Sequence, residues 1–547
     1  MSTIRSFFVL FAVYSFTICV SVSISSAATI NAASASYSDV SAAVSSANAG
    51  DIVVVPAGSS TWDTTILITK GIALVGAGIG KTVITDGMPS TSDYLIKYKP
   101  ANPSLDEAFN LTGFTFEINQ VSQGILISNP DGTTELTKIR IHHNNFTGGR
   151  PYTGTPIIRI YGQIYGLIDN NTFSSAGGIF QNTGGDIGAW ENVSASFGDS
   201  NALYIEDNIF TLKDVLTDGA RGARYVLRYN TITNSSTGSL FLCDAHGNQL
   251  GNLTGTMQTE IYGNHVTDTG NRLALLLDQR GGMTSTFYNY ATTAASRTGV
   301  SIRDEYDDSI SPPATSPSGQ SQHASNSYIW SNYTATALMS TAFEKFTGTA
   351  TGGGNNYLDD SNAKFCGGGT NCPCSLGSCE TTAYGVEIIG GKGVGQYRLV
   401  SFFTQTRITV TKNWNTNPDA TSTYEVRLDC CNNIKENREF WTMRSTGSFD
   451  GTGVANAGGG VGCGTLAEMN AITPTSVGIG FWVTNQSCSN ITNLVGANPT
   501  TPISGTLYRW SGSAWVPYYT PYAYPHPLRE ERTVIPPEKP KNLKVVQ

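Results

Sequence analysis

Two short segments set a carboxylate two residues before a base or a cation: Leu242-Cys-Asp244-Ala-His246-Gly and Leu277-Asp278-Gln-Arg280-Gly. A third, Ile302-Arg303-Asp304-Glu305-Tyr306-Asp307-Asp308, adds four carboxylates behind an arginine. These residue types suit proton transfer beside a charged sugar. His246 can take a proton or give one to a leaving oxygen, while Arg280 or Arg303 neutralises a uronate carboxylate. Two of the aspartates, Asp244, Asp278 or Asp304, can instead act as the acid and base of a glycosidase, their separation setting the role. The third segment is also the densest local set of hard oxygen ligands. It makes calcium the candidate cation, with Asp304, Asp307 and Asp308 as ligands and no cofactor otherwise required. The competing reading is plainer: Asp and Arg on neighbouring strands pair with each other and keep a surface soluble.

What positions these segments is a repeat of an aliphatic residue, two variable residues, Asn, one variable residue and a bulky apolar residue. It occurs as Ile141-x-x-Asn144-x-Phe146, Ile168-x-x-Asn171-x-Phe173, Ile205-x-x-Asn208-x-Phe210, Leu227-x-x-Asn230-x-Ile232 and Ile261-x-x-Asn264-x-Val266, with weaker copies at Asn289 and Asn332. Intervals between asparagines run from 22 to 43 residues, which is what stacked coils with loop insertions produce. The aliphatic and bulky residues point into a cylindrical core, and Asn occupies a turn position that it tolerates well. Asp244 and Asp278 each lie 14 residues after a ladder Asn, and His246 and Arg280 each lie 16 after; Asp304, 15 after Asn289, is displaced by one. Coils are about 4.8 Å apart, so these side chains become neighbours in a groove that a linear glycan can follow.

The repeat resembles the right-handed parallel β-helix of the pectate-lyase-like superfamily, and the resemblance implies an all-β solenoid over residues 29–345. It does not fix the chemistry, because that scaffold carries lyases, hydrolases, esterases and inert adhesins. The placement of the charged segments is similar to alginate-lyase and chondroitinase types of β-helix lyase. Where those carry a Lys and then an Arg-His-Gly run, this chain has Asp-Ala-His246-Gly and Asp-Gln-Arg280-Gly. Pectate-lyase and polygalacturonase motifs are not visible. Val40, Ala43, Val44 and Ala47 form a helical stripe that predicts a cap on the open end of the cylinder. Gly80-Lys81-Thr82 superficially suggests a phosphate loop, but the required glycine is Val75, so nucleotide binding is not expected.

A second column, two residues before each ladder Asn, reads His142, Asp169, Glu206, Arg228, Tyr262, Phe287 and Trp330. Its drift from polar to aromatic predicts either an ordinary outward face or a sugar-stacking surface, with Arg228, Tyr262, Trp330 and Glu305 as substrate contacts. His142 and His143 are expected on opposite faces of a strand.

The chain of 547 residues has 59 Gly, 14% charged residues and a net charge of −8, a balance that favours turn-rich β-structure and supplies no basic field for nucleic acid or an anionic membrane. Residues 1–28 read as a secretory signal, so the protein is expected to be secreted or at the cell surface, without a membrane span. Eight cysteines, Cys366, Cys372, Cys374, Cys379, Cys430, Cys431, Cys463 and Cys488, cluster in the last third and are disulfide candidates, whereas Cys243 reads as a buried small hydrophobe. That third divides into a small β module with a Cys-rich insertion (346–430), a disulfide-containing region packed on the solenoid (431–530) and a linker-like tail (531–547). The module resembles one found in bacterial surface and phage-tail proteins. Two functions remain open. One is an enzyme, lyase or glycoside hydrolase, acting on an extracellular polysaccharide as a monomer; the other is a rigid, non-catalytic glycan-binding rod, which could be trimeric.

Overall fold

In a computed structural model, the described residues are 27–119, 121–129, 134–149, 156–175, 178, 180–183, 197–235, 241–247, 255–269, 275–292, 298–303, 324–342, 345–363, 365, 384–428 and 434–530. Three long sheets run side by side from residue 29 to residue 342, and one of them gains a further strand at 440–442. Sheet A has twelve strands, from Thr29–Asn31 to Phe440–Thr442. Sheet B has ten, from Gly58–Trp62 to Tyr333–Thr334, and sheet C ten, from Ile66–Ile68 to Ser340–Ala342. The chain visits them in rotation. Arg224–Arg228 lies in sheet A, Thr231–Asn234 in B, Phe241–Ala245 in C, and Gln258–Tyr262 returns to A beside Arg224–Arg228. Pairing within the three sheets is parallel, and the architecture is the right-handed parallel β-helix expected from the repeat.

The asparagine ladder holds the coils in register. Each backbone N–H donates to the side-chain oxygen of the next ladder Asn, from Asn144 to Asn171 at 3.0 Å through Asn289 to Asn332 at 3.1 Å. Each Nδ2 donates to that same oxygen and to a carbonyl of the preceding coil, as Asn230 does to Asn264 at 3.0 Å and Ile205 at 2.9 Å. All seven side chains are buried, and the satisfied network removes the penalty of burying an amide, roughly 1–3 kcal/mol per unpaired group. One expectation about this turn is corrected. The left-handed residue is the one before each asparagine, with φ 51° at His143, 53° at Tyr229, 68° at Gly263 and 51° at Tyr288. Asn is selected for its two-sided amide, and the backbone strain falls on its neighbour, even where that neighbour is tyrosine.

Inside, Ile141, Ile168, Ile205, Leu227 and Ile261 stack along sheet A, while Phe116, Phe146, Phe173 and Phe210 form a ring stack along sheet B with centroids 4.9–5.2 Å apart. Helix Tyr37–Ser46 closes the N-terminal end: Ser36 caps it by accepting from the Asp39 N–H, and Val40, Ala43 and Val44 turn into the core. At the other end, strands between Lys345 and Leu428 form an antiparallel sheet. The chain then returns to the solenoid, where Phe440–Thr442 pairs with Ser327–Trp330. That strand lies beyond the boundary at 345 because no ladder asparagine marks it.

The C-terminal region builds a four-stranded sheet, Val461–Gly464, Gly480–Val483, Thr506–Trp510 and Trp515–Tyr519, that joins the aromatic cluster on the outer face of sheet A. Cys463 and Cys488 form a disulfide. Cys366, Cys372, Cys374, Cys379, Cys430 and Cys431 lie outside the described residues, as do residues 1–26 of the signal-like segment and the tail 531–547. Cys243 is buried and unbonded, and burial pushes its thiol up, away from reactivity. Among the described residues no helix is long and apolar enough to cross a membrane.

Candidate functional site

Sheet C carries the charged segments on its outer face. Cys243 and Ala245 point into the core, so Asp244 and His246, one residue on from each, point out. Asp218, Asp244 and Asp278 lie directly opposite one another on three consecutive coils, and Ser301 continues the row. The in-register placement of Asp244 with Asp278 is the expected one. In the fourth coil the offset differs: Ser301 takes the aspartate position, and Arg303, two residues on, bonds Asp278.

Asp218 was missed because it lies only 10 residues after Asn208, in the shortest coil of the ladder. A local signal does exist. A buried leucine stands two residues before each acid, at Leu216, Leu242 and Leu276.

The side chains form one continuous ionic network. Arg280 Nε donates to Asp244 Oδ1 at 3.0 Å, with its Nη2 on the same oxygen, and Arg303 grips Asp278 with two bonds of 3.2 and 2.7 Å. His246 Nε2 is 3.1 Å from Asp218 and 3.6 Å from Asp244. Arg280 Nη2 is 2.8 Å from His246 Nδ1 and 3.1 Å from Nε2, so the guanidinium lies against the ring rather than along one nitrogen's lone pair, while Nε2 reaches Asp218. Exposure rises along the network, from 9% at Asp244 and Arg280 to 14% at His246 and 34% at Arg303. Burial raises the Asp244 carboxyl above its ordinary range, against the pull of Arg280 and His246, so it keeps a proton to higher pH than a free aspartate.

Asp218, Asp244 and His246 offer ligand atoms within 4.8 Å of one another, so these three are the residues that could hold a metal ion among those described. The guanidinium of Arg280 against the same imidazole and the same carboxylate opposes a divalent cation there. Asp304, Glu305, Asp307 and Asp308, which include the expected calcium ligands, lie outside the described residues.

The column on sheet A is neither the ordinary outward face nor the sugar-stacking surface that were the two expectations for it. Arg228, Tyr262 and Trp330 are wholly or almost wholly buried, because the C-terminal region lies over them. Arg228 pairs with Glu206 and donates to the carbonyls of Tyr522 and Ala523 at 2.8 and 2.7 Å. Trp330 stacks on Phe287 at 4.2 Å, and Trp482 and Tyr519 pack against the pair. These residues dock the molecule to itself. His142 and His143 also depart from expectation: the left-handed turn at His143 breaks the strand alternation, and their Nδ1 atoms come within 2.7 Å.

No family model and no curated protein matches the chain. Among solved structures it is similar to the alginate lyase from Paenibacillus sp. str. FPU-7, with 14% identity and a TM-score of 0.31 over 50% of this chain and 99% of that one. It is also similar to the A-module of an Azotobacter vinelandii mannuronan C-5 epimerase, at 18% identity and a TM-score of 0.29 over 56% and 93%. A tailspike protein of E. coli bacteriophage HK620 in complex with a pentasaccharide gives 10% identity and a TM-score of 0.26 over 69% and 86%. The fold assignment rests on the three parallel sheets of this chain.

Proposed function

We propose that the chain is an exported protein that binds an acidic polysaccharide along the outer face of sheet C and cleaves it by proton transfer at His246. The observation that carries the reading is the contact of His246 with Arg280 on one side and Asp218 on the other, in a row of acids and arginines that follows the solenoid. A uronate carboxylate entering the row competes with Asp244 and Asp278 for Arg280 and Arg303. Once it takes Arg280, the guanidinium leaves the His246 ring and the imidazole faces the substrate. The neutralised carboxylate acidifies the C–H on its neighbouring carbon, and the imidazole abstracts that proton. The electron pair forms a carbon–carbon double bond, the adjacent C–O bond breaks, and the imidazolium that His246 has become returns the proton to the departing oxygen. The Asp218 and Asp244 ligand oxygens lie within 4.8 Å, tighter than the roughly 6.5–9.5 Å that a water-inserting, inverting hydrolase needs.

The saturation of both arginines by aspartates favours a second reading, a rigid glycan-binding rod without turnover. One experiment separates them. Acidic and neutral polysaccharides are incubated with the protein and followed by ultraviolet absorbance of unsaturated uronates and by reducing ends. Unsaturated product from an acidic polymer, lost in His246→Ala and Arg280→Ala, is the expected result. Binding without product supports the rod, and activity unchanged in both variants overturns the site.

A further inference from the structure

On sheet B the residue after each ladder asparagine faces outward, and its identity changes along the solenoid. Asn145, Thr172, Ile209 and Thr231 occupy it in the earlier coils, His265, Tyr290 and Tyr333 in the last three. The rings of His265 and Tyr290 stack at 5.6 Å and 10°, and Tyr333 continues the row directly opposite Tyr290. The polar-to-aromatic drift is therefore present twice. On sheet A it is covered, whereas on sheet B Tyr290 and Tyr333 remain half-buried and open into a cleft of about 520 Å³.

That cleft lies between the solenoid turn at 334–338 and two C-terminal segments, 444–447 and 489–492. Its volume falls within the range of small-ligand sites, roughly 300–1,000 Å³. Its walls combine the two tyrosines with hydroxyl and amide groups from Thr336, Ser445, Thr446 and Asn490, and none of the lining residues is acidic. The one charged lining residue, Arg444, is held by Glu436 through bonds of 2.9 and 2.8 Å. The tyrosine row beside hydroxyl and amide groups matches the apolar face and hydroxyls of a neutral pyranose, and the single guanidinium of the lining is already held by Glu436.

We infer that this cleft is a second saccharide site, selective for uncharged sugar residues and separate from the charged row on sheet C. It is built where solenoid and C-terminal region meet, so it exists only in the assembled full chain.

The test is calorimetric titration of the full chain with neutral gluco- and galacto-oligosaccharides and, in parallel, with an oligouronate. The site predicts saturable binding of a neutral oligosaccharide, weakened about tenfold or more in Tyr290→Ala and in Tyr333→Ala, since losing one stacking contact of about 1.4 kcal/mol is a factor of ten. Thr492→Trp, at an exposed wall position, fills the cleft without opening the core and is expected to abolish that binding. His246→Ala is expected to leave it unchanged, which keeps this site distinct from the fate of the sheet C proposal. Three results overturn the inference: no neutral oligosaccharide bound by the wild-type chain, affinity unchanged in the tyrosine and tryptophan variants, or loss of neutral-sugar binding in His246→Ala.

Discussion

Sheets A and C carry nearly the same charged pattern on their outer faces, acids and arginines one coil apart, under different cover. On sheet A, Arg140 grips Asp169, Arg228 grips Glu206, and Arg529 reaches from the C-terminal segment to Asp169, Glu206 and Asp207. Glu206 and Arg228 are completely buried. On sheet C, the pairs Arg280–Asp244 and Arg303–Asp278 are built alike but keep graded access to solvent. The pattern of charges therefore does not distinguish glue from site. At the extremes what covers it does: Arg228, completely buried, has no exchange partner, and Arg303, 34% exposed, can trade its carboxylate for a ligand's, whereas Arg140 and Arg280, at 8% and 9%, are covered alike.

The largest effect that can break this contrast is on sheet A. Glu206→Ala strands Arg228 without its carboxylate and is expected to lower unfolding free energy by about 3–5 kcal/mol, read by denaturant titration. A loss under about 1 kcal/mol would mean that the C-terminal cover opens readily and that the two faces are alike. Next comes Cys463→Ser, which releases a crosslink over 25 residues beside that cover, with an expected loss of about 2–4 kcal/mol in the oxidised protein. Smaller still is Asp278→Ala. Its partner Arg303 is 34% exposed, so the expected change is about 0–1 kcal/mol, in marked contrast to Glu206→Ala.

The most delicate test uses pH. Burial raises Asp169, but Arg140 and Arg529 overcome it and hold the carboxyl below its ordinary value of 3.8; its stabilisation is present above 3.8 and is lost as pH falls through the folded value. Asp244 is displaced upward, so the stabilisation linked to its proton is complete below 3.8 and is lost as pH rises through the raised value. Stability measured against pH is thus expected to lose its acid-side fall in part in Asp169→Asn, and to lose a decline at higher pH in Asp244→Asn. Identical profiles for the two variants would contradict the assigned environments.

Much of this was legible in the chain. The Ile-x-x-Asn-x-Phe spacing carries the coil, its register and the adjacency of Asp244 with Asp278, because every coil must place the same side chains in the same core and ladder. Asp218 was hidden, since loop lengths differ between coils and counting from an asparagine loses register across a short one. A C-terminal region packed on the solenoid was expected, but its landing on Arg228, Tyr262 and Trp330 was not readable. It brings residues 519–529 to residues about 260 to 390 positions earlier, and no local spacing records such a contact. The aromatic drift before each asparagine was visible, but whether an aromatic column meets solvent or another part of the chain depends on that distant segment.

The central claim is that a uronate takes Arg280 from its aspartate and frees His246. The most direct measurement is the imidazole nitrogen and proton resonances of His246 during titration with an acidic oligosaccharide, assigned by their loss in His246→Ala. A saturable change at the imidazole is expected as Arg280 leaves it, and none with a neutral oligosaccharide. Imidazole signals that stay fixed while the acidic oligosaccharide binds would place the polysaccharide elsewhere on the solenoid and contradict the account.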